Sequence, residues 1–347
     1  MRYRSSILAA ALLLATLAIV AAPPSGAAAR SRHQLWFSPN PGSLDLLRMF
    51  EHPEEWTDAR TLISVFNFTQ QHTFAQPDPV TGPNTYAALV RVGAFRQLTQ
   101  AGIKIAVGSW AVKEFYCTDD AAGMNRAVAD TLGAIDAVQA AGGQVQYLAM
   151  DEPFLSGQSS RCGGPALTPT ADRLAVYFAG VRRLYPRVRI GLIEAYPFFG
   201  FDAFASFLQL MQDRGITPAF LHLDVDLRAV RPPRDLAGDV KRLQVMCTAR
   251  GVPFGLIVWG YNGDADALFA ADAGHLAGSL KEAYPEAGAM PDQLIVESWS
   301  PSSTGVLITP SNLPENRAHT LTQILTQVHR RFLAAAAADT GASAVPR

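Results

Sequence analysis

The chain has 347 residues, 49% of them hydrophobic, and its 29 Lys and Arg residues nearly balance its 30 Asp and Glu residues. This length suits either two domains or one large α/β barrel, and it is sufficient to bury a substantial core. A formal net charge of -1 provides no basic surface for a phosphate backbone, so we expect no nucleic-acid partner.

The first predicted element is an apolar segment near the N-terminus. Two arginines precede an apolar run from Ile7 to Ala22, and small residues follow at 27–29. This layout is typical of a secretory signal, so we predict a signal peptide over 1–29 and a secreted or periplasmic protein. The alternative is an uncleaved anchor helix, but the run is shorter than the roughly 20 residues that span a bilayer. No later segment suits a span, so no membrane partner is expected after cleavage.

Eight short runs rich in β-branched and aromatic residues follow, separated by Ala- and Leu-rich stretches typical of helices. Several helical stretches end at a glycine suited to the left-handed cap position, as at Gly102, Gly142, Gly215 and Gly251. The predicted strands are residues 35–40, 61–69, 103–110, 145–152, 189–196, 219–226, 254–261 and 293–300, and the clearest helical stretches are 84–102, 124–142, 170–186 and 235–251.

Strands that alternate with helices form a parallel sheet, and eight such units are the number that closes a (β/α)8 barrel. We therefore predict an α/β fold, a single TIM barrel over residues 30–335, followed by a disordered tail at 336–347. A doubly wound open sheet is the alternative, because a pattern can gain or lose an element. Its dinucleotide-binding version is disfavoured, since no Gly-x-Gly-x-x-Gly follows an early strand.

The sequence contains three cysteines, at positions 117, 162 and 247. Cys117 and Cys162 both lie in polar, loop-like segments, and an exported chain permits a disulfide, so we predict that they pair. Cys247 lies in a helical stretch and is expected to be a small buried apolar residue. No Cys-x-x-Cys and no cluster of His and Cys suggests a zinc site, so we predict no metal and no cofactor.

Polar and aromatic residues collect at the carboxyl ends of the predicted strands, the face on which barrel enzymes place their active sites. Unpaired buried carboxylates are costly, so apolar strands that end in Asp or Glu indicate a ligand-facing mouth or compensated ion pairs. Basic residues are scarce there, and Lys113 and Arg228 are the nearest candidates for pairing with the acids. The strand-end residues are Trp36, Ser38, Asn40, Asn67, Ser109, Trp110, Asp151, Glu152, Glu194, Tyr196, Asp224, Asp226, Trp259, Tyr261, Glu297 and Trp299.

This combination of acids and aromatic rings favours a neutral, hydroxyl-rich ring as the ligand. Aromatic faces cover the apolar faces of pyranose rings, while carboxylates accept hydroxyl hydrogen bonds and supply an acid, a base or a nucleophile. We therefore predict a polysaccharide or oligosaccharide substrate. The predicted substrate-binding residues are Trp36, Asn67, Trp110, Tyr196, Asp224, Asp226, Trp259, Tyr261 and Trp299.

The fourth predicted strand ends in Asp151-Glu152-Pro153. At this position the motif is similar to the Asn-Glu-Pro of a large clan of retaining (β/α)8 glycoside hydrolases, with one mismatch. The resemblance extends over the whole predicted barrel in architecture, and it implies a secreted glycosidase with Glu152 as the acid/base. That clan places its nucleophile after strand 7, where this sequence has no acid in Val258-Trp259-Gly260-Tyr261, so the nucleophile is not carried over.

The spacing of parallel strands ranks the partners of Glu152. Neighbouring strands lie about 4.8 Å apart, so Glu194 on the fifth strand suits the roughly 5 Å separation of a retaining pair. Asp224 and Asp226 lie two strands away, closer to the wider inverting separation. Glu297 would reach across from the far wall. We predict Glu194 as the nucleophile and Glu297 as its substitute.

Three other functions stay open. Adjacent Asp151 and Glu152 are similar to the paired acids of hexosaminidases that use the substrate's own acetamido group as nucleophile. The missing strand-7 acid also suits a non-catalytic, sugar-binding barrel. A metal-dependent hydrolase is the third possibility, because His222, Asp224 and Asp226 share one face of strand 6. An internal hydrogen-bond network is the preferred interpretation of that face, since no second histidine ends another strand.

Overall fold

The computed structural model describes residues 33–110, 113, 120–159, 166–232, 234–299 and 309–333. Within them, eight parallel strands close into a barrel in chain order, and β8 pairs with β1. The predicted (β/α)8 TIM barrel is confirmed, and the open doubly wound sheet is excluded. Cys117 and Cys162 lie outside the described residues, as do the predicted signal peptide and the predicted tail.

The elements alternate regularly along the chain. The strands are β1 Gln34–Ser38, β2 Val65–Thr69, β3 Lys104–Ser109, β4 Val145–Asp151, β5 Arg189–Tyr196, β6 Leu221–Val225, β7 Phe254–Val258 and β8 Gln293–Glu297. The helices are α1 Arg48–Glu51, α2 Thr57–Leu62, α3 Tyr86–Arg91, α4 Ala94–Gln100, α5 Asp120–Ala140, α6 Pro153–Gly157, α7 Leu167–Leu184, α8 Phe201–Asp213, α9 Leu236–Thr248, α10 Asp266–Lys281 and α11 Leu321–Leu333. Two short 3-10 helices cover Pro53–Trp56 and Gln70–Thr73.

All eight predicted strands are present, although most end earlier than predicted because their polar ends leave the sheet and build the loops. The second strand also begins later than predicted, since the start of the 61–69 run belongs to α2. The predicted helix over 84–102 is two helices, separated by Gly93 in the left-handed conformation with φ 69°. Left-handed glycines end the preceding helical stretches as expected at Gly102, Gly142, Gly215 and Gly251.

The helices form an outer layer because their apolar residues recur at helical spacing, which places them on one face. In α11 the buried apolar side chains are Leu321, Ile324, Leu325, Val328 and Phe332. Cys247 is buried in α9 as predicted, where burial raises the pKa of its thiol to about 12. No helix in the described ranges combines the length and apolarity needed to cross a bilayer.

Rings and hydrogen bonds fill the barrel near the amino-terminal ends of its strands. The ring centroid of Trp36 lies 5.0 Å from that of Tyr147 and 4.7 Å from that of His222. His222 contacts Gln293, which in turn donates to Gln34 at 3.1 Å. Burial lowers the pKa of His222 to about 3, so it stays neutral. The internal network predicted for His222, Asp224 and Asp226 is present at His222 only, since Asp224 lines the cleft and Asp226 pairs with Arg228. At His222 it closes the barrel beneath the opposite mouth.

Candidate active site

A cleft of about 320 Å³ opens at the carboxyl ends of the strands. Its floor includes Gly108, Ala149, Ile193 and Ile257, which are small or aliphatic side chains that leave room above the filled interior. The predicted site residues that line the cleft are Asn67, Trp110, Asp151, Glu152, Asp224, Glu297 and Trp299. The sheet therefore brings carboxyl groups from β4, β6 and β8 to one space.

The turn after β4 holds Glu152 in an unusual backbone conformation. Glu152 has φ 45° and ψ 46°, in the left-handed region that residues other than glycine rarely adopt. Its N–H donates to the carbonyl oxygen of Ile193 on β5 at 2.9 Å, and Pro153 begins α6 immediately afterwards. Strained backbone of this kind clusters at functional sites, and here it presents a carboxylate to the cleft.

Glu194 lies beside this turn and does not line the cleft. It is fully buried and accepts hydrogen bonds from the backbone N–H groups of Phe154 at 2.7 Å and Leu155 at 3.3 Å. Both amides belong to the first turn of α6, where helical N–H groups lack partners within the helix. Burial raises the pKa of Glu194 well above its ordinary value. Its position does not fit the predicted nucleophile; it secures the turn that carries Glu152.

Replacing Glu194 with Ala is expected to lower the free energy of unfolding by about 2–4 kcal/mol, because two buried amides lose their acceptor and a cavity forms. Glu194→Gln keeps the volume and one acceptor oxygen, so its loss should be clearly smaller. Urea unfolding of the two variants beside wild type measures the difference. Equal stability of Glu194→Ala and wild type would contradict the clamping role.

Lys113 joins the two acids at the end of β4. Its Nζ lies 2.7 Å from Glu152 Oε2 and 3.1 Å from Asp151 Oδ2. Burial disfavours the charged lysine, but the attraction of both carboxylates outweighs it, so the pKa of Lys113 is raised. Burial also raises the pKa of Asp151 despite the opposing effect of Lys113. On this side of the cleft, the negative charge of the two carboxyl groups is therefore offset by the positive charge of Lys113.

On another wall, Asp224 of β6 and Glu297 of β8 form no ion pair within the described residues. Burial, with the negative charge of Glu152 as the next cause, raises the pKa of Asp224 to about 7. The indole N–H of Trp259 opposes that rise but completes no hydrogen bond, and Asp224 Oδ1 also has no partner. Burial and then Asp224 raise the pKa of Glu297 to about 8. This wall retains protons up to neutral pH.

Aromatic and amide groups complete the cleft. Trp299 is 46% exposed and packs on buried Trp259, with ring centroids 4.6 Å apart. Trp110 also lines the cleft, and its indole N–H has no partner. Asn67 donates to Ser38 Oγ at 3.0 Å, while its own Oδ1 accepts no hydrogen bond. These groups offer one exposed ring face together with an unused donor and an unused acceptor.

Two predicted binding residues, Trp36 and Tyr196, are instead structural. Trp36 is 1% exposed and fills the barrel interior below the cleft. Tyr196 is buried, and its hydroxyl donates to Asp239 Oδ2 at 2.5 Å in α9. Neither lines the cleft, because Trp36 is too deep in the barrel and Tyr196 faces the helix layer.

Asp226, Tyr261 and Trp259 form a separate group at the rim of the barrel. Arg228 donates to both carboxylate oxygens of Asp226, at 2.9 and 3.0 Å, and this holds the pKa of Asp226 below its ordinary value. The same guanidinium lies 5.1 Å from the ring centroid of Tyr261 and 5.7 Å from that of Trp259. These residues do not line the cleft, so the structure corrects their predicted contact with substrate.

Several cleft residues were not assigned a site role from the sequence, among them Thr69, Gln71, Val80 and Ser298, whereas Lys113 was named there as a candidate for pairing with the acids. Thr69 and Ser298 stand at the ends of β2 and β8, so the strand-end criterion indicates them in principle. Val80 comes from a long loop that carries no such signal. Among the described residues, no group of three His, Cys, Asp or Glu side chains is arranged to hold a metal ion.

No protein-family model and no curated protein matches the sequence. The fold itself has solved counterparts. The catalytic domain of a glycoside hydrolase family 26 endo-β-1,4-mannanase from Bacillus sp. JAMB-750 aligns over 89% of both chains with 14% identity and a TM-score of 0.55.

Two other structures show the range of this fold. A thermostable mutant of a xylanase from Cellvibrio japonicus aligns over 85% of this chain and 96% of the xylanase chain, with 11% identity and a TM-score of 0.53. An L-ribulose 3-epimerase aligns over 87% of this chain and 94% of the epimerase chain, with 14% identity and a TM-score of 0.51. These likenesses show the fold, and function must be argued from the site.

Proposed function

We propose that this protein is a glycoside hydrolase that cleaves a polysaccharide or oligosaccharide with the carboxyl groups of the cleft. The observation that carries the proposal is the presence of Glu152 and Glu297, from β4 and β8, on the walls of one cleft that exposes Trp299. Glycoside hydrolysis requires two carboxyl groups, one on each side of the scissile bond. The similar fold of a mannanase and a xylanase agrees with a carbohydrate substrate.

Glu297 takes the place of Glu194 as the partner of Glu152. Glu194 is committed to two backbone amides, whereas no hydrogen bond within the described residues engages the Glu297 carboxyl group, which faces the cleft. After burial, the negative charges of Asp224 and Asp151 are the causes that raise the pKa of Glu297. We further propose a secreted or periplasmic location on the basis of the pattern over residues 1–29.

The direct test is the release of reducing ends by the purified protein from a panel of xylan, mannan, glucans, chitosan and N-acetylated amino-sugar oligomers. Activity on at least one polymer supports a glycosidase. Activity restricted to N-acetylated sugars favours the acetamido-assisted mechanism with Asp151 and Glu152. Retained binding without release of ends favours the sugar-binding barrel that the missing strand-7 acid suggests, and it overturns the proposed hydrolysis.

Trp299→Ala is expected to raise KM by about tenfold with little change in kcat, because a ring face that stacks on a sugar binds ground state and transition state alike. The exposed aromatic Phe198 does not line the cleft, so Phe198→Ala is the matched control. Initial rates over a range of substrate concentrations separate the two parameters. An unchanged KM in Trp299→Ala would remove this residue from the substrate site.

A further inference from the structure

We propose that Glu297 donates the proton to the leaving oxygen and that Glu152, which contacts Lys113, takes a proton from the attacking water. This inference rests on the proposed glycosidase function. It reverses the role that the strand-4 resemblance implies for Glu152, because the environment of each group decides which of them holds a proton.

Lys113 lies against the carboxylates at the end of β4. Its ammonium group has only hydrogen-bond donors, and it lies 2.7 Å from Glu152 Oε2 and 3.1 Å from Asp151 Oδ2. A proton on Glu152 Oε2 would remove the acceptor that this donor contacts. Glu152 is therefore suited to accept a proton and poorly suited to deliver one.

Glu297 has the opposite environment. Among the described residues that line the cleft, the other charged groups are the acids Asp151, Glu152 and Asp224 and one cation, Lys113, which contacts Asp151 and Glu152. Ionised Glu297 would add a further negative charge beside Asp224 in a partly buried position. Like charges and burial both favour the neutral acid, in agreement with its raised pKa.

The chemistry balances with these roles. Glu297 transfers its proton to the glycosidic oxygen while the bond from C1 to that oxygen breaks and its electron pair moves to the oxygen, so the leaving sugar departs as an alcohol. Water attacks C1, and the Glu152 carboxylate accepts the proton that the water loses. One water is consumed, and the cleft as a whole neither gains nor loses a proton.

The assigned roles also predict the stereochemistry. Because Glu152 activates a water that attacks C1 from the face opposite the leaving oxygen, no covalent intermediate forms and the anomeric configuration inverts. Glu152 and Glu297 follow from β4 and β8, which lie on opposite sides of the closed barrel. We expect inversion at C1, which NMR of the first-formed sugar anomer measures directly.

Leaving-group dependence tests the roles. Glu297→Gln should lose about 10³-fold in kcat/KM on the polymer. On a dinitrophenyl glycoside, whose phenolate leaves without a proton, it should lose only a small factor. Glu152→Gln should lose activity on both substrates. The reverse pattern, with Glu152→Gln rescued by the dinitrophenyl leaving group, would overturn the assignment.

Lys113 acts as a positioning residue, and the separate effects on kcat and KM report its action. Lys113→Met should lower kcat about tenfold with little change in KM, because the Glu152 carboxylate loses the donor at 2.7 Å that orients it toward the attacking water. Lys113→Arg, which keeps a cationic donor, should restore most of the wild-type kcat. A Lys113→Met variant with wild-type kcat would contradict the link between this cation and the base.

A readout independent of turnover separates this inference from the proposed function. Infrared difference spectra near neutral pH should show a protonated carboxyl band that disappears in Glu297→Gln and a carboxylate band that disappears in Glu152→Gln. A protonated band that disappears in Glu152→Gln instead overturns the division of protons, whatever the activity. Absence of hydrolysis on every glycoside, with the expected bands present, overturns the glycosidase function and with it the catalytic roles.

Discussion

Glu152→Gln is expected to lower kcat by roughly 10²- to 10⁴-fold, which is the usual contribution of general acid–base catalysis. The amide keeps the shape of the carboxylate but accepts no proton, and it contacts Lys113 with at most one neutral oxygen. Reducing-end release at saturating substrate measures the loss. Glu51→Gln, at an exposed position outside the cleft, is the matched control and should match wild type.

The fold of Glu152→Gln should remain intact, because the contacts that define the turn are made by the backbone. The N–H of residue 152 still donates to Ile193, and Glu194 still accepts from Phe154 and Leu155. Circular dichroism and thermal unfolding close to wild type would show this. Wild-type activity in a folded Glu152→Gln protein would remove Glu152 from the chemistry.

Glu297→Gln should raise the free energy of unfolding by about 2 kcal/mol at pH 8. The pKa of Glu297 is about 8 in the folded protein, against an ordinary value of 4.5. Between these pH values the unfolded chain has released a proton that the folded chain keeps. The free energy of unfolding of the wild-type protein therefore falls as the pH rises through this range. Each pKa unit between the folded and unfolded states corresponds to about 1.4 kcal/mol. The expected 2 kcal/mol is smaller than the full pKa difference would give, because Glu297 is partly exposed and coupled to Asp224.

Urea unfolding of wild type and Glu297→Gln at pH 4, 6 and 8 measures this effect. The difference in unfolding free energy should be small at pH 4 and should grow toward pH 8. Glu51→Gln, which changes an exposed acid, provides the baseline at each pH. A difference that does not depend on pH would mean that Glu297 titrates alike in the folded and unfolded chains.

The barrel was predictable because its signal is repeated eight times. Each short apolar run is bounded by polar residues, and glycines such as Gly102 and Gly251 stop the helix before the next strand. The acids at the ends of β4 and β8 were predictable for a related reason. A parallel barrel brings all carboxyl ends of its strands to one face, so Glu152 and Glu297 meet there without any knowledge of their loops.

The predicted nucleophile failed for a reason that sequence cannot resolve. Side chains alternate between the two sides of a strand, but the pattern does not say which parity faces inward when both sides are apolar. On β5 the inward residue is Ile193, so Glu194 and Tyr196 both point to the helix layer, where each finds a partner. Because the wrong side of β5 was taken to face the barrel interior, both Glu194 and Tyr196 were misplaced.

Depth along the strand was a second quantity that the pattern did not contain. Trp36 and Ser38 share the inward side of β1, yet only Ser38 is high enough to line the cleft. Loop residues are harder still, because Lys113 and Val80 reach the cleft through the paths of their loops. The sequence named Lys113 as a candidate for pairing with the strand-end acids, but that Asp151 and Glu152 are its partners becomes visible only in three dimensions.

The pairing of β8 with β1 has a consequence for how the chain is made. Gln34 and Gln293 are hydrogen-bonded although they are 259 positions apart, so the sheet cannot close until nearly the whole barrel sequence has been synthesised. Contacts of such long range slow folding, and until closure both β1 and β7 expose an edge that can pair with another chain. Chains truncated before β8 should therefore aggregate, and the nascent protein should require a chaperone until its last strand is in place.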